Sequence, residues 1–421
     1  MLNEVTMEAV VEKENLQEAY AKVRANGGGP GVDGMSVTAL QEHFHKHGES
    51  IITKLRAGKY QPAAVKARDI PKGNGGTRRL GIPTVLDRTI QQAIHQVIGL
   101  IFDIGFSESS YGFRPNRSAH DAVRKAEEYI TAGKKWVVDI DLKSFFDQVN
   151  HDRLMTMLGR EVRDKTLLAL IAKYLKAPIQ KADGSKEARR AGTPQGGPLS
   201  PLLANIYLDP LDKELEKRGL AFVRYADDIA IFVASPRSAE RILEGLVKWL
   251  KKELGLEVNL EKSGTGSSGG SSLLGFRIYE DGRIGIAPKA ISKLKEKVRE
   301  IWTAQRNITS EGLREQWRSY ISGWWNYFQL ADWRREIIYL GGWIRRHIRK
   351  CFWLRWHKTK GREKALKRLG MKGNDLKISR SGLGAWTIAK CGVMHRALSN
   401  KTLNHYGFIT PWDFTKIPQQ T

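Results

Sequence analysis

Residues 222–233 read FVRYADDIAIFV, and this stretch constrains what the chain can fold into more than any other. Two apolar, β-branched runs flank Tyr225-Ala226-Asp227-Asp228, so the alternation predicts a hairpin with the carboxylates at or beside its tip. Adjacent acids repel one another. Between apolar strands they are tolerated as a solvated turn, where Asp is common, or as ligands of a cation. The choice turns on whether another part of the chain brings further ligands.

Residues 136–146, WVVDIDLKSFF, do so: Trp136, Val138, Ile140 and Leu142 alternate with Val137, Asp139 and Asp141. The period of two places Asp139 and Asp141 on one face of a strand. A carboxylate at the end of a buried strand needs a partner, and a divalent cation is the obvious one. The two stretches are separated by helical sequence, as in a split βαβ arrangement. If their strands are neighbours, Asp141, Asp227 and Asp228 converge at one end of a sheet. That is the minimum set for two Mg²⁺ ions bridging a 3′-hydroxyl and a nucleoside triphosphate.

Charge points to the same class of partner. Lys and Arg number 70 against 45 acids, a net charge of +25, and a surface so basic is suited to a polyanion. Residues 341–380 hold 14 Lys or Arg against two acids, interleaved with Trp343, Phe352, Trp353 and Trp356. Basic side chains with aromatic platforms suit RNA or DNA; the alternative is a solvated helix face packed by tryptophans. Cys351 and Cys391 form no CxxC pair, so a zinc ribbon is unsupported. No signal-peptide pattern and no apolar run of membrane-spanning length is present, so the expectation is a soluble, cytoplasmic protein with no membrane partner.

Elsewhere the pattern predicts helices over 1–25, 40–56, 87–106, 118–129, 154–174, 202–218 and 238–254, with a strand at 257–260. A basic, Gly-rich hairpin tip at 71–79 carries Lys72, Arg78 and Arg79, suited to a triphosphate. The irregular loop at 110–115 carries an exposed-looking Arg114. The Gly-rich loop 192–201 offers Gln195 and leads to Ser200 as an N-cap before Pro201. The Gly/Ser run 264–272 is linker-like and expected to be mobile. A hairpin at 273–286 follows, then three helices over 291–305, 310–327 and 333–351.

Taken together, Tyr225-Ala226-Asp227-Asp228, Asp141-Leu-Lys-Ser-Phe-Phe146, the PQGGPLSP loop and LLGF resemble a reverse transcriptase. Ile70-Pro-Lys, Leu80-Gly-Ile-Pro-Thr, Ser110-Tyr-Gly-Phe-Arg-Pro and Gly323-Trp-Trp-Asn-Tyr-Phe328 are similar to bacterial group II intron-encoded proteins. The resemblance implies an α/β right-hand polymerase. An N-terminal extension and fingers take 1–135 with part of 150–200, a ferredoxin-like palm 136–288, an α-helical thumb or maturase domain 289–352, and a basic DNA-binding domain 353–421.

By the same resemblance Asp141, Asp227 and Asp228 are the catalytic, metal-binding residues, and Asp139 lies outside the match. Phe146 falls where an aromatic ring blocks a ribose 2′-hydroxyl. Gln195 and Arg114 line the nucleotide and template pocket, Lys262 lies near the triphosphate, and Leu274, Gly275 and Phe276 grip the primer. The implied activity is RNA-directed DNA synthesis with two Mg²⁺ ions, Mn²⁺ substituting, together with binding of group II intron RNA as a maturase. The implied partners are an RNA template, intron RNA, a DNA primer or target and dNTPs, which makes the protein nucleoid-associated when bound to DNA. No His/Cys-rich endonuclease module follows the basic stretch, which resembles the group IIC type. The alternatives are an RNA-binding splicing factor without polymerase activity and a retron-like or defence-associated reverse transcriptase.

Overall fold

The computed structural model describes residues 5–71, 77–303, 308–332 and 334–415. The chain divides into two compact units, Met1–Ser267 and Ser268–Thr421, inside the stretch expected to form the palm.

The described residues of the first unit form eight strands, of which β3, β6 and β7 are rich in β-branched and aromatic residues: Val65–Pro71 (β1), Thr77–Ile82 (β2), Trp136–Asp141 (β3), Ile179–Gln180 (β4), Lys186–Glu187 (β5), Ala221–Tyr225 (β6), Asp228–Val233 (β7) and Gly264–Ser267 (β8). They build two four-stranded sheets, ordered β2-β1-β4-β5 and β6-β7-β3-β8. Every pairing in the second sheet is antiparallel, and helices lie between β3 and β6 and between β7 and β8. This is the connectivity of a βαββαβ motif. Ile229 through Val233 are all buried, as expected of a central strand covered on both faces. Leu203, Tyr207 and Leu211 of the helix Ser200–Lys217 and Leu246 of the helix Pro236–Trp249 join Val138, Ile140, Phe222 and Ile231 in one core. Each such side chain contributes about 1.5–3 kcal/mol of burial energy.

The structure departs from the sequence pattern in several places. The first predicted helix is two, Met7–Val11 and Lys13–Asn26, broken where Glu12 is extended. The stretch 154–174 is also two helices, His151–Glu161 and Lys165–Lys176. Asp164 starts the second by accepting from the Thr166 and Leu167 N–H groups. The strand at 257–260 is reduced to one bridge, Leu142 with Val258. Ser200 is the first helical residue, and its hydroxyl donates to the Pro194 carbonyl at 2.6 Å instead of capping.

The largest correction is the Gly/Ser run. Its first four residues are β8, antiparallel to β3, with Thr265 opposite Val138. Ladder pairing uses backbone groups alone, so a run without bulky side chains still satisfies the edge of a strand.

In the second unit Phe276–Ile278 (β9) and Ile284–Ile286 (β10) form a hairpin. The helices Pro288–Ile301, Ser310–Phe328 and Arg334–Arg355 follow, then Thr359–Arg368 and shorter turns. Trp302 meets Trp317 at 5.5 Å and Phe408 at 5.6 Å, and Phe352 meets Phe408 at 5.2 Å. Phe352 and Trp353 are buried, so they are core residues and not the platforms expected of them. Some of the basic excess is likewise internal: Arg345 is ion-paired with Asp413 at 2.7 Å, and Arg349 donates to the Leu398 carbonyl. Lys360, Lys364 and Lys367 remain exposed. Among the described residues, no helix is long and apolar enough to cross a membrane.

Candidate active site

β6 and β7 are joined by a two-residue turn, Ala226-Asp227, with Tyr225 and Asp228 as the closing pair. Ala226 has φ +57°, in the left-handed region that L-residues seldom occupy. On its other side β7 pairs with β3 so that Asp228 lies directly opposite Asp141. Opposed residues in such a ladder lie about 4.5–5.5 Å apart at Cα, and like charges there repel. Desolvation, with the charges of Asp227 and Asp141, pushes the Asp228 carboxyl up to about 6, although its side chain still reaches solvent. Asp227 and Asp141 are half-buried.

The end of β3 is clamped by the turn that follows the Val258 bridge. The Asn259 N–H donates to the Asp141 carbonyl at 2.8 Å, and the Asp141 N–H donates to Ser263 Oγ at 2.9 Å. The clamp brings Lys262 Nζ to 4.0 Å from Asp141 Oδ1, both with solvent access.

Behind the turn lies a buried network that the sequence reading missed. Arg224 donates through Nε to Asp212 Oδ1 at 2.7 Å and through Nη2 to Oδ2 at 2.5 Å. Its Nη1 donates to Asn205 Oδ1 at 2.8 Å and to the Ala226 carbonyl at 3.0 Å. Asn205 in turn donates to the Gly112 carbonyl. The signal was an arginine inside an apolar strand, together with Asn205 and Asp212 seven residues apart on one helical face.

Phe146 and Gln195 both line a cleft of about 530 Å³, together with Phe113, Arg88 and Gly196. The Thr193 N–H donates to the Phe146 carbonyl at 2.7 Å, and the Gly81 N–H to the Gln195 carbonyl at 2.8 Å, so the Gly-rich loop is held on both sides. A Cβ at Gly196 (φ +135°) would lie 2.4 Å from the Gly81 oxygen. Phe145 is buried and packs edge-on against Phe146.

The other expected ligands differ in where they lie. Arg114 is buried, not exposed: it is ion-paired with Asp103 at 2.6 Å and donates to the carbonyls of Asp103, Ser107 and Ser110. Its guanidinium is held by four oxygens of the protein. Lys72 lies outside the described residues, as does the side chain of Arg78. Leu274, Gly275 and Phe276 belong to the second unit, where the Tyr327 hydroxyl donates to the Leu274 carbonyl at 2.9 Å. Phe276 is wholly buried between Tyr327 and Phe328, so its ring packs the fold of the second unit.

Among the described residues, no group of three His, Cys, Asp or Glu side chains already encloses a metal-sized space. The acids instead form an open edge whose mutual repulsion calls for a cation. Such an edge fits Mg²⁺, which keeps several waters and takes one or two carboxylates together with substrate phosphates.

Residues 70–341, which carry the acidic turn, the strand opposite it and the Gly-rich loop, match the family described as "Reverse transcriptase (RNA-dependent DNA polymerase)". The chain belongs to the reverse transcriptase family. This reverse transcriptase is therefore an RNA-directed DNA polymerase by membership. It is 33% identical over 294 residues to protein YkfC of Escherichia coli K12, covering 60% of this chain and 77% of that one. It is 38% identical over 177 residues to the group II intron-encoded protein LtrA of Lactococcus lactis, covering 42% of this chain. That alignment spans only 29% of LtrA. The structure of apo telomerase from Candida tropicalis overlaps 88% of this reverse transcriptase and 68% of that chain, at 13% identity and a TM-score of 0.47.

Proposed function

We propose that this reverse transcriptase extends a DNA primer on an RNA template, with Asp141, Asp227 and Asp228 holding two Mg²⁺ ions at the end of the β3–β7 pair. The observation that carries the reading is the register that sets Asp228 opposite Asp141, one residue from Asp227. When bound, Mg²⁺ supplies charge stabilisation at the phosphorus and acidifies the primer 3′-hydroxyl. Phe146 places its ring beneath the incoming sugar and excludes a 2′-hydroxyl by bulk. Gln195 orients the nucleotide from the facing loop. Lys262, an exposed cation beside Asp141, carries a proton to the departing pyrophosphate. Residues 1–135 with part of 150–200 act as N-terminal extension and fingers, 136–288 as palm, 289–352 as thumb and 353–421 as a DNA-binding domain, with Leu274, Gly275 and Phe276 offering backbone to the primer.

We further propose that it binds group II intron RNA as a maturase. Two things support this: the likeness to LtrA, and the exposed Lys360, Lys364 and Lys367 on a chain of net charge +25. The test is deoxynucleotide incorporation on a primed RNA template with Mg²⁺. An Asp227→Asn variant is expected to lose at least about 10³-fold in rate, and undiminished synthesis by it would sink the metal site. RNA binding without any synthesis by the parent would favour the splicing-factor alternative.

A further inference from the structure

We infer that Arg224 is a positioning residue, which fixes the Ala226 carbonyl and with it the turn that carries Asp227 and Asp228; the inference rests on the two-metal reading above. Ala226 is left-handed without being glycine, a conformation that persists only where the surroundings over-determine it. Two contacts do this. Arg224 Nη1 donates to the Ala226 oxygen, and the Gly112 backbone presses on the other side, where a Cβ would stand 2.4 Å from the Ala226 nitrogen.

The guanidinium is itself fixed. Asp212 takes two of its nitrogens and Asn205 shares the third with Ala226. Asn205 also holds the Gly112 carbonyl, so one network grips both sides of the turn. Strand β6 is registered from its outer edge as well, since the Arg224 N–H donates to the Ser109 carbonyl and the Tyr111 N–H to the Arg224 carbonyl.

Stability alone does not account for this arrangement. Arg224 and Asp212 are wholly buried, and a buried ion pair is seldom more stabilising than apolar side chains of the same volume. What apolar residues do not supply is a fixed donor to the Ala226 oxygen. Nor does lysine, whose single ammonium cannot serve Asp212, Asn205 and Ala226 in one plane.

The test is single-nucleotide extension of a primed RNA template by the full chain, reading kcat, the deoxynucleotide KM and the half-saturating Mg²⁺ concentration. Arg224→Met combined with Asp212→Leu fills the space, and its melting temperature is expected to stay within about 3 °C of the parent. Its kcat is expected to fall about 100-fold and its Mg²⁺ requirement to rise about fivefold, with deoxynucleotide KM within about threefold of the parent. Arg224→Lys keeps a cation against Asp212, and hence the fold, and is expected to fall about 10-fold in kcat in the same manner. It decides the matter should the double variant not fold. Parental kcat and Mg²⁺ dependence in either folded variant overturns the inference. So does a loss that tracks melting temperature and disappears on cooling, because the network then only holds the fold. Asp227→Asn is run alongside. Full activity there removes the two-metal reading itself, whereas an inactive Asp227→Asn beside active Arg224 variants removes only the positioning role.

Discussion

Phe145 and Phe146 are sequence neighbours whose rings meet edge to face at 5.2 Å, yet one is sealed in the core and the other lines the cleft with Gln195. Their substitutions should therefore separate. Phe145→Ala is expected to lose about 3–5 kcal/mol of stability, measured by denaturant unfolding. Phe146→Ala is expected to stay folded and to narrow the preference for deoxynucleotides over ribonucleotides about 10- to 100-fold, measured by paired incorporation rates. An unchanged preference would remove Phe146 from under the sugar.

Asp228 links activity to stability with a definite sign. Its carboxyl is raised from the ordinary 3.8 to about 6, so the unfolded chain ionises first. The destabilisation therefore develops as pH rises from about 4 to 6 and is complete above that. Asp228→Asn should melt with the parent near pH 4 and above it at pH 7.5, by about 1 kcal/mol once solvent access is allowed for. Mg²⁺ should raise the melting temperature of the parent and do little for the variant. Equal melting of the two at pH 7.5 would contradict the crowding of the acids.

The strand β8 is open to a proline scan. Within 264–267, proline at positions whose N–H faces β3 should lose about 2–3 kcal/mol, and the alternate positions should be spared. A mobile linker would be indifferent at all four. Differential scanning calorimetry of the full chain distinguishes the two.

The basic residues of the second unit should fall into two groups. Arg345→Ala strands Asp413 in the interior and is expected to lose about 3–5 kcal/mol, with little change in the salt dependence of DNA binding. Lys360→Ala and Lys364→Ala should leave stability within about 0.5 kcal/mol. Each should lower the slope of log affinity against log salt by about 0.9 if it meets a phosphate. Binding isotherms across a salt series provide the comparison.

These contrasts mark what was legible in the sequence. Alternation located β3, β6 and β7, and their acids meet because the period of two governs both the pleat and the register. Motif pointed to Phe146 and Gln195, and both line one cleft. Arg224 was not legible, because a charge inside an apolar run reads as noise until its partner on the preceding helix is known. Arg114 was misread for a related reason: sequence gives no measure of how many carbonyls converge on a guanidinium. The Gly/Ser run misled through composition, since backbone pairing depends on a neighbouring edge and not on side chains. Phe352 and Trp353 misled because interior and platform aromatics share one pattern.

The two-residue reversal at Ala226-Asp227 sets where β7 begins its pairing. A slip of β7 against β3 by a single residue would move Asp228 off Asp141 and exchange Ile229, Ile231 and Val233 with Ala230 and Phe232 between two faces that are both packed. Correct chemistry and a dry interior are thus decided by the same pairing. A misaligned chain would be both inert and unstable, and the proteases that clear unfolded protein would remove it before it could occupy a template.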